Sequence, residues 1–314
     1  MSTTTTSGAT QARGNEFTSF AEDNFSQSGA SGLYDRARPS YPLEAYAKIL
    51  SALPRRRQSR TSPTAAATAA TVVELGAGSG IFTRGFLGEI LKEQEEENER
   101  KVETLIAIEP SKGMRQGWQS KHDQELKDKV EANGLTVEIR DGLFDKIPVT
   151  DQQADLVVIA QAFHWVGKDG ESAIREIARV LKPNGVLALI WNFEDRSKPW
   201  VAQLRDAYEQ HEAGTPQARL GWWKSIFETE FYRETYEPAQ LESYHRELDS
   251  SEDGVVDRIL SKSYITALAQ DQQDKVARDM REIVRRGDGK EWIDQSRGTF
   301  YYPYNTELYL IRKK

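Results

Sequence analysis

Val72-Val73-Glu74-Leu75-Gly76-Ala77-Gly78-Ser79-Gly80 reads as a buried strand that runs into glycines and straight on into a helix. Glycine is required in such a turn because a side chain would block close approach of a ligand to the backbone, and because the turn can demand positive φ. The helix start beyond it offers free N–H groups to an anion. A dinucleotide fingerprint, G-x-G-x-x-G, would need its last glycine at position 81, which is Ile81. The spacing here is G-x-G-x-G, with an acid, Glu74, two positions before it.

Outward from this loop the pattern alternates. Residues 71–75 (TVVEL), 104–108 (TLIAI), 136–140 (TVEIR), 155–160 (DLVVIA) and 186–191 (VLALIW) are short apolar or alternating runs that predict strands. Between them, residues 81–92 carry apolar side chains at helical spacing, a long polar helix starts at Ser111, and 171–181 (ESAIREIARVL) is amphipathic and closes at Lys182-Pro183-Asn184-Gly185. This repetition predicts a mostly parallel α/β sheet with helices on both faces. Residues 199–211, 219–231, 251–268 and 271–286 read as helices covering the carboxyl edge of the sheet. Two β-like runs, 241–248 and 300–311, predict an antiparallel edge.

The chain has 314 residues, with 42 Lys and Arg against 49 Asp and Glu, a net charge of −7. That sign argues against general nucleic-acid binding. With no cysteine, a thiol nucleophile, a thiolate zinc site and disulfides are excluded. The four histidines, at 122, 164, 211 and 245, have no metal-ligand spacing, so no metal site is expected. No stretch has the apolar length of a membrane span and the start lacks a signal-peptide core, so a cytoplasmic protein is expected, the nucleus remaining open. The expected organisation is a disordered polar tail over 1–32 and one domain over 33–314. Within it, 55–70 is a flexible insertion, 93–100 an acidic run, and 193–290 mainly helical cover and late sheet elements.

The glycine loop with its preceding acid resembles the first motif of class I S-adenosylmethionine-dependent methyltransferases. The later strand ends carry further polar groups in order. Glu109 ends the second strand, where an acid can accept from both ribose hydroxyls. Asp141-Gly142 follows the third, as an adenine-amino acceptor or simply an Asp-Gly turn. Gln161-Ala162-Phe163-His164-Trp165 follows the fourth, over the edge where open α/β sheets bind ligands.

YDRARPSYP (34–42), ELGAGSG, IEPSKGM, DGLFDKIP, AQAFHW, VLKPNGVLALIWN and the terminal PYNTELYLIRKK together resemble the "type 11" small-molecule methyltransferases, and most of all the trans-aconitate methyltransferase-like branch. The resemblance implies a class I, Rossmann-like sheet of seven strands and S-adenosyl-L-methionine as cofactor. It implies cofactor contacts for Tyr34, Arg38, Glu74, Gly76, Ala77, Gly78, Gly80, Glu109, Pro110, Ser111, Met114, Asp141, Gly142 and Gln161. Tyr34, Arg38 and Tyr41 match a segment folding over the cofactor, Gly76, Gly78 and Gly80 would line its methionine part, and Met114 would flank adenine.

The acceptor expected is a small molecule, a carboxylate of the trans-aconitate kind or a thiol. The Asn/Asp-Pro-Pro of nucleobase enzymes is absent after the fourth strand, and so are acidic ligands for magnesium. Trp165, Trp191 and Asn192 are candidate acceptor contacts, and Phe163, Trp165 and Trp191 candidate cation–π partners of a sulfonium. His164 is the one candidate general base; the competing reading is a histidine that shapes the pocket. Trp222 and Trp223 would line an acceptor pocket or join cover to core. Rival functions are a methyltransferase-like binding protein without turnover, and a neutral hydroxyl or amine acceptor deprotonated by His164. An NAD oxidoreductase is disfavoured by Ile81 and by the lack of a Tyr-x-x-x-Lys pair.

Overall fold

A computed structural model describes residues 30–53, 70–96 and 102–314. The expected tail as far as residue 29, nearly all of the 55–70 insertion and the end of the acidic run lie outside the described residues. Residues 30–32, read from sequence as the end of the tail, instead open a helix, Ala30–Ala37. Ion pairs anchor that helix: Asp35 to Arg84 at 2.6 Å and Arg36 to Asp257 at 3.1 Å.

Among the described residues, eight strands form one sheet: β1 (Ala70–Leu75), β2 (Val102–Ile108), β3 (Thr136–Arg140), β4 (Ala154–Ala160), β5 (Leu181–Glu194), β6 (Gln240–Ser250), β7 (Trp292–Asp294) and β8 (Thr299–Arg312). Their order is β3-β2-β1-β4-β5-β8-β6, with the short β7 paired to β8. β1 to β5 are parallel, and β8 runs antiparallel to both β5 and β6. This is the class I methyltransferase fold, with β1 inside the sheet between β2 and β4. The expected seven strands become eight because Trp292–Asp294 folds back on β8; three residues are too few to show a period of two.

Period-two alternation divides the strands between two cores. Val72 and Leu105 face the helices Leu43–Ser51 and Ile81–Glu96. Val73, Ile106 and Val157 face the helix Glu171–Val180 and the buried Trp191 and Trp223. A third cluster joins the helices Pro199–Glu209, Glu252–Leu260 and Gln270–Arg286 to Tyr302 and Tyr304 of β8. These helices form the cover.

Three expected helices are interrupted. The polar helix after Ser111 is two, Lys112–Lys121 and Gln124–Ala132, because Asp123 caps a new start by accepting from the Leu126 N–H. The 219–231 stretch is 3₁₀ over Ala218–Leu220 and Trp222–Glu228, then α over Glu230–Thr235; Gly221, at φ +67°, breaks it. The 251–268 stretch divides into Glu252–Leu260 and Ser263–Thr266. At Lys182–Gly185 the closing turn of the preceding helix lies within β5 as a bulge: Ala154 pairs with Leu181, but Leu156 pairs with Val186.

Candidate active site

All five parallel strands deliver their carboxyl ends to one edge, and the loops there surround a cavity of about 840 Å³. Pockets for small ligands span ~300–1,000 Å³, so this one has room for a large cofactor and a second small molecule. One end is the glycine loop. The Gly76 and Ala77 N–H groups donate to the Ile108 carbonyl at 2.8 and 3.1 Å, which ties the loop to the end of β2. Gly76 has φ +68°, and a Cβ there would stand 2.6 Å from the Ala162 Cβ. Gly78, at φ +56°, lines the cavity, and a Cβ there would meet no atom of the described residues within 4 Å.

Glu109 stands next to it, buried yet lining the cavity. Its Oε2 accepts from the Gly78 N–H and its Oε1 from the Ser111 N–H, each at 2.9 Å. These bonds orient the carboxylate beside the cavity. A positive-φ glycine open on the cavity side, beside an oriented acid, leaves room for a ligand to approach the backbone next to a hydrogen-bond acceptor.

Tyr34, Arg38, Pro110, Met114, Gly142 and Gln161 also line the cavity. Gln161 takes φ +58°, accepts no glycine-like freedom, and is held by donating from Nε2 to the Asn192 carbonyl at 3.0 Å. Arg38 lies over the Tyr34 ring at 4.7 Å. Other expected residues sit elsewhere. Gly80 packs on Trp118, where a Cβ would come within 2.7 Å of the indole. Ser111 caps the helix Lys112–Lys121 by accepting from the Met114 N–H. Tyr41 is buried in the core against Tyr46 and Phe82. The Asp141 side chain is 72% exposed and paired with Arg115 at 3.2 Å, outside the cavity lining.

Glu74 shares its sheet face with Val72, so it points into the core and accepts from Thr83 Oγ1 at 2.6 Å. Burial pushes its carboxyl up to about 8, the Thr83 bond opposing. With Ala77 it borders a small recess behind the glycine loop rather than the main cavity.

At the fourth strand end, His164 and Trp165 line the cavity, while Phe163 and Trp191 are fully buried and do not. Trp191 stacks on Trp223 at 4.4 Å, joining the 3₁₀ segment to the sheet, and Trp222 lines the cavity. Of the three aromatic candidates for a sulfonium, Trp165 is the one placed at the cavity. His164 is half-buried, opening on the cavity but enclosed elsewhere. Burial, reinforced by the Arg38 charge, pushes its imidazole down to about 3. The Trp191 Nε1–H donates to its Nδ1 at 3.4 Å, which places the neutral ring's proton on Nε2.

The sequence reading missed the other end of the cavity. Glu194, Arg205, Arg258 and Lys262 are buried there, with Tyr208 and Tyr264 beside them. One signal was available. Arg258 and Lys262 stand three and seven residues after Val255, at the helical spacing that carries Val255 and Ile259 into the core, so the pattern placed both on the core side.

The sheet order and the glycine loop at the carboxyl end of β1 agree with the class I methyltransferase fold. Residues 73–189 match the family model described as "Methyltransferase domain", and the cofactor of that domain is S-adenosylmethionine. An uncharacterized methyltransferase of Schizosaccharomyces pombe is 33% identical over 58% of this chain and 58% of its own length. An uncharacterized methyltransferase of Mycobacterium tuberculosis is 34% identical over 56% of this chain and 55% of its own. The chain thus spans less than two thirds of the curated relatives it matches. Among solved structures, the YcgJ protein of Bacillus subtilis superposes with a TM-score of 0.49 at 16% identity, over 86% of this chain and 98% of its own. No described helix is long and apolar enough to cross a membrane.

Proposed function

We propose that this chain transfers a methyl group from S-adenosylmethionine to a small-molecule acceptor whose reacting atom is already anionic: a carboxylate, as in the trans-aconitate branch, or a thiolate. The observation that carries this reading is the neutral, weakly basic His164 in a cavity continuous from Glu109 and Gly78 to Asn192 and Glu194. A ring lowered to about 3 by burial and the Arg38 charge, with Nδ1 facing the Trp191 indole N–H, is a weak base for a hydroxyl or an ammonium group at neutral pH.

The cofactor supplies a methyl carbon on positive sulfur, whose bonding pair stays with sulfur as the carbon leaves. In this reading Glu109 accepts from the ribose, Gly78 admits the backbone-hugging part, and Gln161 stands near the reacting carbon. Tyr34, on the helix Ala30–Ala37, and Arg38, directly after it, close over the cavity. Trp165 offers an aromatic face, worth ~0.5–2 kcal/mol toward a cation. Alignment of the acceptor behind the methyl carbon is the main source of rate, since proximity supplies ~7–11 kcal/mol and an anionic acceptor needs no base.

The test is homocysteine release with a panel of carboxylic acids, thiols and amines, using the parent and His164→Ala. The variant is expected to bind S-adenosylmethionine within a few-fold of the parent and to lose mainly in KM. A kcat loss of ~10²–10⁴ with both ligands bound normally would identify a base and a neutral acceptor. Because the His164 imidazole sits near 3, kcat between pH 5 and 8 is expected to show no inflection that His164→Ala removes.

A further inference from the structure

The far end of the cavity holds charge that the reaction as derived does not use. Arg205 and Arg219 are matched there: Arg205 pairs with Glu209 at 2.7 Å, and Arg219 with Glu212 and, at 3.3 Å, with Glu209. Among the described residues, what remains is Arg38, Arg258 and Lys262 against Glu194. Arg258 and Lys262 both reach the same Glu194 oxygen, Oε1, at 3.0 Å. Arg38 donates to the Ser261 hydroxyl at 3.0 Å and the Ser261 carbonyl at 2.9 Å, and among the described residues no acid pairs with it. The rim charges Asp145, Lys168 and Asp169 are exposed, where water and salt screen them.

Arg258, Lys262 and Glu194 are each less than a tenth exposed, so this excess of positive charge lies out of water. Among the described residues, Arg258 Nε and Nη1 make no hydrogen bond of ordinary geometry, with Tyr304 beside the guanidinium. Two buried cations sharing one carboxylate are costly, and the cost falls on Lys262 and Arg38, while Glu194 holds Arg258 charged. Burial and the Arg258 charge push Lys262 down to about 7 in spite of Glu194, and the same two causes lower Arg38. Glu194, Arg258 and Lys262 also fall outside the 73–189 domain match.

We infer that Arg258 and Lys262, with Arg38 beside them, bind an oxyanion of the acceptor, a carboxylate or phosphate group other than the atom that is methylated. That the oxyanion belongs to the acceptor rests on the methyl-transfer reading; the anion site itself does not. It selects acceptors by a group remote from the reacting atom, held against Arg by paired, charge-assisted hydrogen bonds.

The experiment is calorimetric titration of the full chain, with and without saturating S-adenosylhomocysteine, using glutarate, inorganic phosphate and uncharged dimethyl glutarate. Glutarate or phosphate is expected to bind alongside S-adenosylhomocysteine, more weakly as salt rises, and the diester not to bind. Preference for glutarate identifies a carboxylate group, and preference for phosphate a phosphate group. Arg258→Gln is expected to weaken that binding at least tenfold. Glu194→Gln, which keeps the shape and removes the internal counter-charge, is expected to tighten it several-fold, an effect that damaged folding would not mimic. Failure of both oxyanions to bind, or weaker binding in Glu194→Gln, would overturn the inference. So would competition between oxyanion and S-adenosylhomocysteine, since the cations would then serve the cofactor's own carboxylate. Loss of S-adenosylhomocysteine binding in the parent would instead strike the methyl-transfer reading, and the titration without it still reads the anion site.

Discussion

Glu109→Ala is expected to weaken S-adenosylmethionine binding by about 10- to 150-fold, the equivalent of the ~1.5–3 kcal/mol that charge-assisted hydrogen bonds contribute. The loss has two parts. The ribose hydroxyls would lose their acceptor, and the Gly78 and Ser111 N–H groups would lose theirs, at 2.9 Å each, so the loop itself would loosen. Glu109→Gln keeps one carbonyl oxygen but turns an NH₂ toward one of those N–H donors, and is expected to fall between Ala and the parent. Asp141→Ala is expected to cost less than Glu109→Ala. Its carboxylate is exposed and paired with Arg115, so water can replace much of what is lost. Isothermal titration of the three variants checks the order, and a Glu109→Ala protein that binds as tightly as the parent would remove the ribose assignment.

The second large effect separates two glycines of one loop. Gly76→Ala would force a side chain into φ +68° and place its Cβ 2.6 Å from the Ala162 Cβ. Left-handed backbone costs ~1–2 kcal/mol for a non-glycine residue, and overpacking a further ~1–3. The expected result is a loss of stability of about 2–5 kcal/mol, read by chemical denaturation. Gly78→Ala carries the backbone cost alone, because no atom of the described residues stands within 4 Å of its Cβ. It is expected to melt closer to the parent while losing at least tenfold in cofactor affinity, because the methyl group enters the space left for ligand. Equal stability losses in the two variants, with cofactor binding intact in Gly78→Ala, would mean that the loop is only a tight turn.

The centre of the parallel sheet was legible because β1 and β4 are buried on both faces, and a run such as TVVEL or DLVVIA has no other comfortable place, whereas the edge strand β3 is only partly buried. The glycine loop and Glu109 were legible because strand, turn and helix are contiguous in sequence. Asp141 shows the limit of reading by strand end: the position is right for an edge loop, but Arg115 draws the side chain to the surface. Trp191 shows another, since an apolar aromatic at a strand end gives no sign of whether it faces cavity or core. The Glu194–Arg258–Lys262 cluster was least legible, because its members are 64 and 68 residues apart in sequence and no local motif joins them. Only the packing of the cover helices onto β5 and β8 brings them together.

The central claim is that the loop Gly76–Gly80, with Glu109, is an S-adenosylmethionine site. Isothermal titration of the full chain with S-adenosylmethionine, and separately with NAD, tests it most directly. Saturable binding of S-adenosylmethionine that Glu109→Ala weakens at least tenfold, and no binding of NAD, is the predicted result. Binding of NAD in its place, or no binding of S-adenosylmethionine by a folded chain, would contradict it.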